Sequence, residues 1–249
     1  MSGAENISEK LRRAESAYAR QTMRPAIAIL VIVPLLTIYE IGTIVTGNRS
    51  ARSGFEQLLF SFLEDVPSLI MSFACLGILL VWHRRCRDHW EFDARHLPIV
   101  VGEAGVLGAM IFFAVNAIRF AFAAELQSVP GVEISLLDWM SIVSRYCGTS
   151  VFEEIWFRLM LLGGIVWLLK RFSSSFPGSL SLAIVLSSLL FSALHYVNWN
   201  PAGDPFDWLG FVCRFLLGVA FSLIFLFRGL SVAVLSHLVY NVLFLTKLN

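Results

Sequence analysis

Residues 151–169 read VFEEIWFRLMLLGGIVWLL. The run is apolar and close to the length of about 20 residues that a helix needs to cross a hydrocarbon core. Yet Glu153, Glu154 and Arg158 sit inside it. An ionisable side chain at the centre of a membrane helix costs about 2.5–3.5 kcal/mol on insertion scales, so such residues are paired or functional. Glu154 and Arg158 are four apart and share one helical face, where they can pair. Glu153 points about 100° away round the helix and has no local partner. Helix pairing explains Glu154 and Arg158 as well as a site does. It explains Glu153 less well, because a carboxylate without a counter-charge in a low-dielectric setting is suited to proton transfer.

The rest of the chain agrees with a membrane reading. Of its 249 residues, 57% are hydrophobic and 15% charged, with 21 phenylalanines and a mean hydropathy of +0.73. A soluble domain carries about 25% charged residues. The expected fold is an all-α, polytopic helical membrane bundle. Apolar stretches at 25–46, 58–82, 97–123, 149–169, 180–198, 208–227 and 231–247 make about seven transmembrane helices. A shorter segment, SLLDWMSIVSRYC at 135–147, is expected as an interfacial or re-entrant helix leading into the FEEIWFR helix. Residues 1–24 are mostly polar and have no signal-peptide cleavage pattern; they are expected as a cytoplasmic amphipathic helix or a disordered segment. Residues 25–134 hold the N-terminal transmembrane helices. The chain shows no repeat, low-complexity tract or soluble domain. A net charge of +1 gives no bias toward nucleic acid. The cysteines Cys75, Cys86, Cys147 and Cys213 form no CxxC pair and are expected as small buried side chains.

Loop charge sets the expected orientation. With the N-terminus inside, the inner segments hold Lys10, Arg12, Arg13, Arg20, Arg24, Arg84, Arg85, Arg87, Arg95, Lys170, Arg171 and Arg228. The outer segments hold Arg49, Arg52 and Lys247. The split favours an inside N-terminus and an outside C-terminus. Trp139, Trp199 and Trp208 suit an outer aromatic belt. Arg119, Arg214 and Glu40 are read as snorkelling or helix-pairing residues, and Glu103 as lying near the inner interface.

Two further stretches carry polar residues in apolar helices. FSALHYVN places His195 four residues after Phe191. SHLVYNVLF places His237 and Asn241 four apart on one face. A histidine on an apolar helix is often a satisfied core residue. Here the other three, His83, His89 and His96, fall in one inner loop, while these two accompany the adjacent glutamates on neighbouring spans. A carboxylate, two imidazoles and an amide can deprotonate a water and stabilise an oxyanion, as amide hydrolysis requires.

EEIWFR, FSALH and HLVYN match EExxxR, FxxxH and HxxxN in that order. Over roughly residues 145–245 the set resembles the CPBP intramembrane proteases, the CAAX protease and bacteriocin-processing (ABI) family. The resemblance makes 135–249 the catalytic core and implies peptide-bond hydrolysis in or at the edge of the bilayer. Glu153 would be the general base, helped by His195, with His237 and Asn241 stabilising the oxyanion. Glu154 and Arg158 would be supporting residues. Leu159 departs from the family, where a glycine often follows the arginine. Two His and one or two Glu also suit zinc, but HExxH is absent and asparagine is a poor zinc ligand. A metal-free, glutamate-type mechanism with no cofactor is expected, zinc being the alternative.

The expected function is an intramembrane endopeptidase of the cytoplasmic membrane of a bacterium. Its partners are the lipid bilayer and a membrane-anchored protein or lipidated peptide as substrate. An outer site suits C-terminal processing of exported proteins; an inner site suits CAAX-like tails. A non-proteolytic scaffold or immunity protein on the same fold is the alternative. A proton-coupled transporter is a third reading, disfavoured by the lack of repeat symmetry.

Overall fold

The computed structural model describes residues 17–46, 68–91, 93–122, 135–172, 176–196 and 206–245. All regular structure among them is helical. Helix α1 spans Pro25–Thr46 and α2 Ser68–Arg85. A 3-10 turn, Ala94–His96, leads into α3, Leu97–Phe122. Helix α4, Leu136–Glu154, runs through a π-helical segment, Ile155–Leu162, into α5, Gly163–Leu169. Helices α6 (Phe176–Leu194), α7 (Trp208–Arg228) and α8 (Leu230–Leu245) complete the bundle.

Helices α1, α3 and α7 are long and apolar enough to cross a membrane, and α6 and α8 hold shorter apolar stretches. The span expected at 58–82 is described only from Ser68, and residues 1–16 lie outside the described set. So do Arg49, Arg52, Trp199 and Lys247, which bear on the expected orientation and belt. Residues 17–22 are helical, in line with an N-terminal helix there. Large apolar side chains face outward, among them Ile44 (78% exposed), Phe120 (72%) and Phe113 (68%), while Glu154 and Arg158 are fully buried. This inside-out distribution suits a lipid surround and would be a liability in water.

The short segment expected at 135–147 is not a separate element. Ser135 starts α4 with a capping box: its hydroxyl accepts from the Asp138 amide, and the Asp138 carboxylate accepts from the Ser135 amide. No proline follows, so the helix continues into the 151–169 run. Glu153 therefore lies about 25 Å along an unbroken helical path, at about 1.5 Å per residue, and not near the start of a span.

Two apolar clusters fill the interior. One joins α1, α2 and α4 with Leu230 and Val234 of α8. The other joins α3, α6, α7 and Phe157 with Val232 and Ala233 of the same α8. Helix α8 is thus the wall between both clusters, and residues 230–234 are fully buried. It approaches α3 at Gly108, where a Cβ would lie 2.5 Å from the Ser236 carbonyl oxygen and 2.8 Å from Val239 Cβ. At the other end of α8, Gly229 makes a one-residue corner from α7 at φ +88°, a conformation that glycine adopts without steric cost.

That corner belongs to a polar end of the bundle. Ser231 Oγ donates to the Thr22 carbonyl at 3.2 Å. Glu103, near the start of α3, accepts from Arg228 Nε and from Tyr18 Oη at 2.8 Å. Arg24 Nε donates to Asp88 at 2.7 Å, and the Ala26 amide donates to the other Asp88 oxygen at 3.0 Å. Burial alone would raise the Asp88 carboxyl, but the Ala26 amide and Arg24 outweigh it and hold it below its usual range. Glu40 accepts from Ser72 Oγ at 2.6 Å and so links α1 to α2, the structural role expected of it. Cys75, Cys147 and Cys213 are buried as expected, whereas Cys86 is exposed.

Candidate active site

Helix α4 delivers Glu153 and Glu154 at its last turn, immediately before the π segment. A π turn holds more residues than an α turn and often marks functional sites. Arg158 lies inside that segment, yet its Nε still reaches Glu154 Oε2 at 3.1 Å. The guanidinium is enclosed by aromatic rings: its central carbon lies 4.6 Å from the Phe191 centroid and 5.6 Å from that of Phe221. Cation–π attraction and one carboxylate thus hold a buried charge. Leu159 packs against the first cluster.

Glu154 faces α8 as well. Its Oε1 lies 2.8 Å from His237 Nδ1. The carboxylate paired to Arg158 is an acceptor, so His237 Nδ1 carries the proton. The second ring nitrogen, Nε2, lies 3.8 Å from Glu153 Oε2. Phe221 stacks on the imidazole at 4.6 Å between centroids. One turn on, Asn241 Nδ2 donates to Ser150 Oγ at 3.3 Å, leaving its second amide hydrogen and its carbonyl. His195 lies just beyond the end of α6. Its Nδ1 is 2.7 Å from the Phe191 carbonyl oxygen, which can only accept, so Nδ1 carries a proton and, in the neutral ring, Nε2 holds the lone pair.

Glu153, His195, His237 and Asn241 all line one cavity of about 400 Å³. Glu154 and Arg158 do not reach it; they stand behind His237. A loop-charge reading with separate spans leaves Glu153 and His237 at different depths. The structure brings the two together, with His237 Nε2 3.8 Å from Glu153 Oε2. Among the described residues, no group of three His, Cys, Asp or Glu converges closely enough to hold a metal ion.

The cavity has walls that motif spacing did not single out. Arg145, Tyr146 and Thr149 line it from α4, and Arg119, Arg214 and Tyr240 from α3, α7 and α8. Arg119 and Arg214, expected to snorkel or pair helices, face this space as well. The signal for the α4 group was present: positions 145, 146, 149 and 153 repeat at helical spacing, but only once 135–147 is joined to the next helix.

Residues 135–243, from the capped start of α4 into α8, match the family model described as type II CAAX prenyl endopeptidase Rce1-like. All six motif residues lie within the match, and the resemblance to the CPBP proteases holds over these residues. No curated protein and no solved structure matches the chain. With its apolar helices, the chain is an integral membrane protein, and the match supports a protease.

Proposed function

We propose, from an Rce1-like endopeptidase segment at residues 135–243, that this chain is an intramembrane endopeptidase cutting a membrane-associated protein with water activated by Glu153 and His195. One observation carries the reading: Glu153, His195, His237 and Asn241, drawn from three separate stretches of sequence, line the same cavity.

In this reading a water lies between Glu153 and His195. Glu153 takes its proton while His195 Nε2 orients it, and the oxygen attacks the scissile carbonyl. The carbonyl oxygen gains negative charge. His237, held at Nδ1 by Glu154, faces it with Nε2, and Asn241 donates to it from its second amide hydrogen. Glu153 then passes its proton to the leaving amine. Glu154 and Arg158 orient His237 from behind. No metal enters these steps; zinc on the histidines and glutamates is the alternative. The bundle would comprise about seven spans in the cytoplasmic membrane of a bacterium, with the N-terminus inside. The cavity gathers the C-terminal ends of α3, α6 and α8, the N-terminal half of α7 and the first half of the continuous helical path 136–169. Those ends lie opposite the Arg24, Glu103 and Arg228 end, which favours an outer-facing site acting on exported proteins.

The test compares membranes of cells carrying wild type, Glu153→Gln or His237→Ala. Loss of a general base lowers turnover by about 100-fold or more, so one membrane protein accumulates uncut in both variants. A metal chelator leaves wild-type cleavage unchanged. Full cellular function in both variants would leave only a scaffold.

A further inference from the structure

Helix α2 ends in a turn that local geometry would give to glycine. The Asp88 amide donates to the His83 carbonyl at 3.2 Å and the Arg87 amide to the Arg84 carbonyl at 3.1 Å. These two bonds make a Schellman motif, whose turning residue is left-handed and usually glycine. Here it is Arg87, at φ +49°, the only non-glycine residue with positive φ among those described. A side chain in that conformation is strained, and such strain persists only where the surroundings hold it. They do so here. Arg24 donates to the Asp88 carboxylate, the Glu91 carbonyl and the His89 carbonyl at 2.7, 2.8 and 2.5 Å. The clamped turn displays Arg84, Arg85 and Arg87, all exposed. Beside them stands Trp90, 59% exposed, whose ring packs on buried His83 at 4.0 Å between centroids.

We infer that Arg84, Arg85, Arg87 and Trp90 form a docking surface for the phosphates of anionic phospholipid headgroups. None of the three arginine side chains has a hydrogen-bond or ion-pair partner among the described residues. Asp88, next in sequence, is held by Arg24 and the Ala26 amide. Glu91 lines a separate hollow with Gln21, Asp93 and Arg95. Leu80 and Val81, apolar and exposed, lie one turn before Arg84. The cluster therefore sits where a lipid-facing helix meets the headgroup layer, the depth at which basic residues attract anionic lipid. An indole suits the same layer, with its apolar body toward the acyl chains and its N–H toward water. The planar guanidinium fork matches phosphate oxygens in a bidentate way, and a turn already formed lowers the ordering cost of binding. Attraction to the C-terminal end of a helix accounts for cations at 84 and 85. It does not account for an arginine where glycine is unstrained. The surface lies at the end of the bundle away from the cavity and is independent of the proposed cleavage.

The experiment uses the full chain in phosphatidylcholine nanodiscs that carry a minor, equal share of dibrominated phosphatidylglycerol or dibrominated phosphatidylcholine. Bromine quenches tryptophan on contact, and subtracting the signal of Trp90→Phe in each background isolates Trp90. Brominated phosphatidylglycerol should quench Trp90 as if enriched around it at least about fivefold over its bulk share. Brominated phosphatidylcholine should quench it at its bulk share, and added salt should reduce the difference. The triple variant Arg84→Gln, Arg85→Gln, Arg87→Gln should bring the two lipids level, and the corresponding triple lysine variant should keep part of the preference. Each ratio is read within one variant and does not depend on how much of that variant is folded. Arg87→Gly separates docking from folding. It should raise the thermal midpoint in phosphatidylcholine discs by about 2–4 °C, because glycine is unstrained at that φ, and lower the enrichment. Equal quenching by both lipids in wild type overturns the inference, as does an enrichment that the triple glutamine variant leaves unchanged. A lower midpoint for Arg87→Gly with full enrichment would make Arg87 a part of the turn's own structure and remove it from the surface.

Discussion

Glu154 is the residue on which the site's order turns. One oxygen meets Arg158 at 3.1 Å and the other meets His237 at 2.8 Å, so a single carboxylate offsets a buried guanidinium and sets an imidazole tautomer. The two jobs separate by mutation. Glu154→Ala strands Arg158 in a closed aromatic pocket, and breaking a buried pair costs about 3–5 kcal/mol. The thermal midpoint in detergent should fall accordingly. Adding Arg158→Leu removes the stranded charge and should recover most of that stability, because an apolar replacement of a buried pair is often neutral. Activity should stay low in both, since His237 still lacks its acceptor. Recovery of activity along with stability would show that Glu154 does not orient His237. The pairing of Glu154 with Arg158 was legible from their spacing alone. The hold on His237 was not, because the two residues are 83 positions apart.

At the scale of elements, α8 carries both His237 and Asn241 and packs against α1, α3, α4 and α7. Its register is set partly by contact with α3 at Gly108. A methyl group there meets the Ser236 backbone, one residue before His237. Gly108→Ala should cost about 1–3 kcal/mol by overpacking and reduce cleavage by shifting His237 from Glu153. Gly77→Ala on α2 has open space around it and should leave stability and activity unchanged; equal effects from both changes would refute a role for this contact. The existence of most helices was readable from apolar run lengths. Residues 135–147 read as a short helix leading into a separate span, because a 13-residue amphipathic stretch looks short when scored by hydropathy alone; the structure makes the two one continuous helix. The capping box SLLD was the available signal. The π segment has no comparable local signature, since it depends on what the turn packs against.

For the whole molecule, polar contacts gather at the end of the bundle opposite the cavity, where Arg24, Asp88, Glu103 and Arg228 tie the N-terminal segment to α3 and α7. Asp88 is held ionised below its usual range. A group of this kind contributes stability that is present above its unfolded pKa and is lost as pH falls through the lower folded value. The thermal midpoint should therefore hold from neutral pH down to about 4 and fall below it. Asp88→Asn should lower the midpoint at neutral pH and flatten that acid decline. An unchanged acid limb in the variant would mean that other carboxylates set it.

By itself the sequence determined the class of the protein. Charge scarcity, long apolar runs and three ordered motifs come from composition and local spacing, which survive without any knowledge of folding. It also marked Glu153, His195, His237 and Asn241 as candidates, because polar side chains in apolar helices are rare for energetic reasons. Only the tertiary structure decided that these four share a cavity, that Glu154 bridges Arg158 and His237, and that three arginines face the same space. Those facts depend on which faces of distant helices meet, and a helix's facing is set by the packing of its neighbours and not by its own residues.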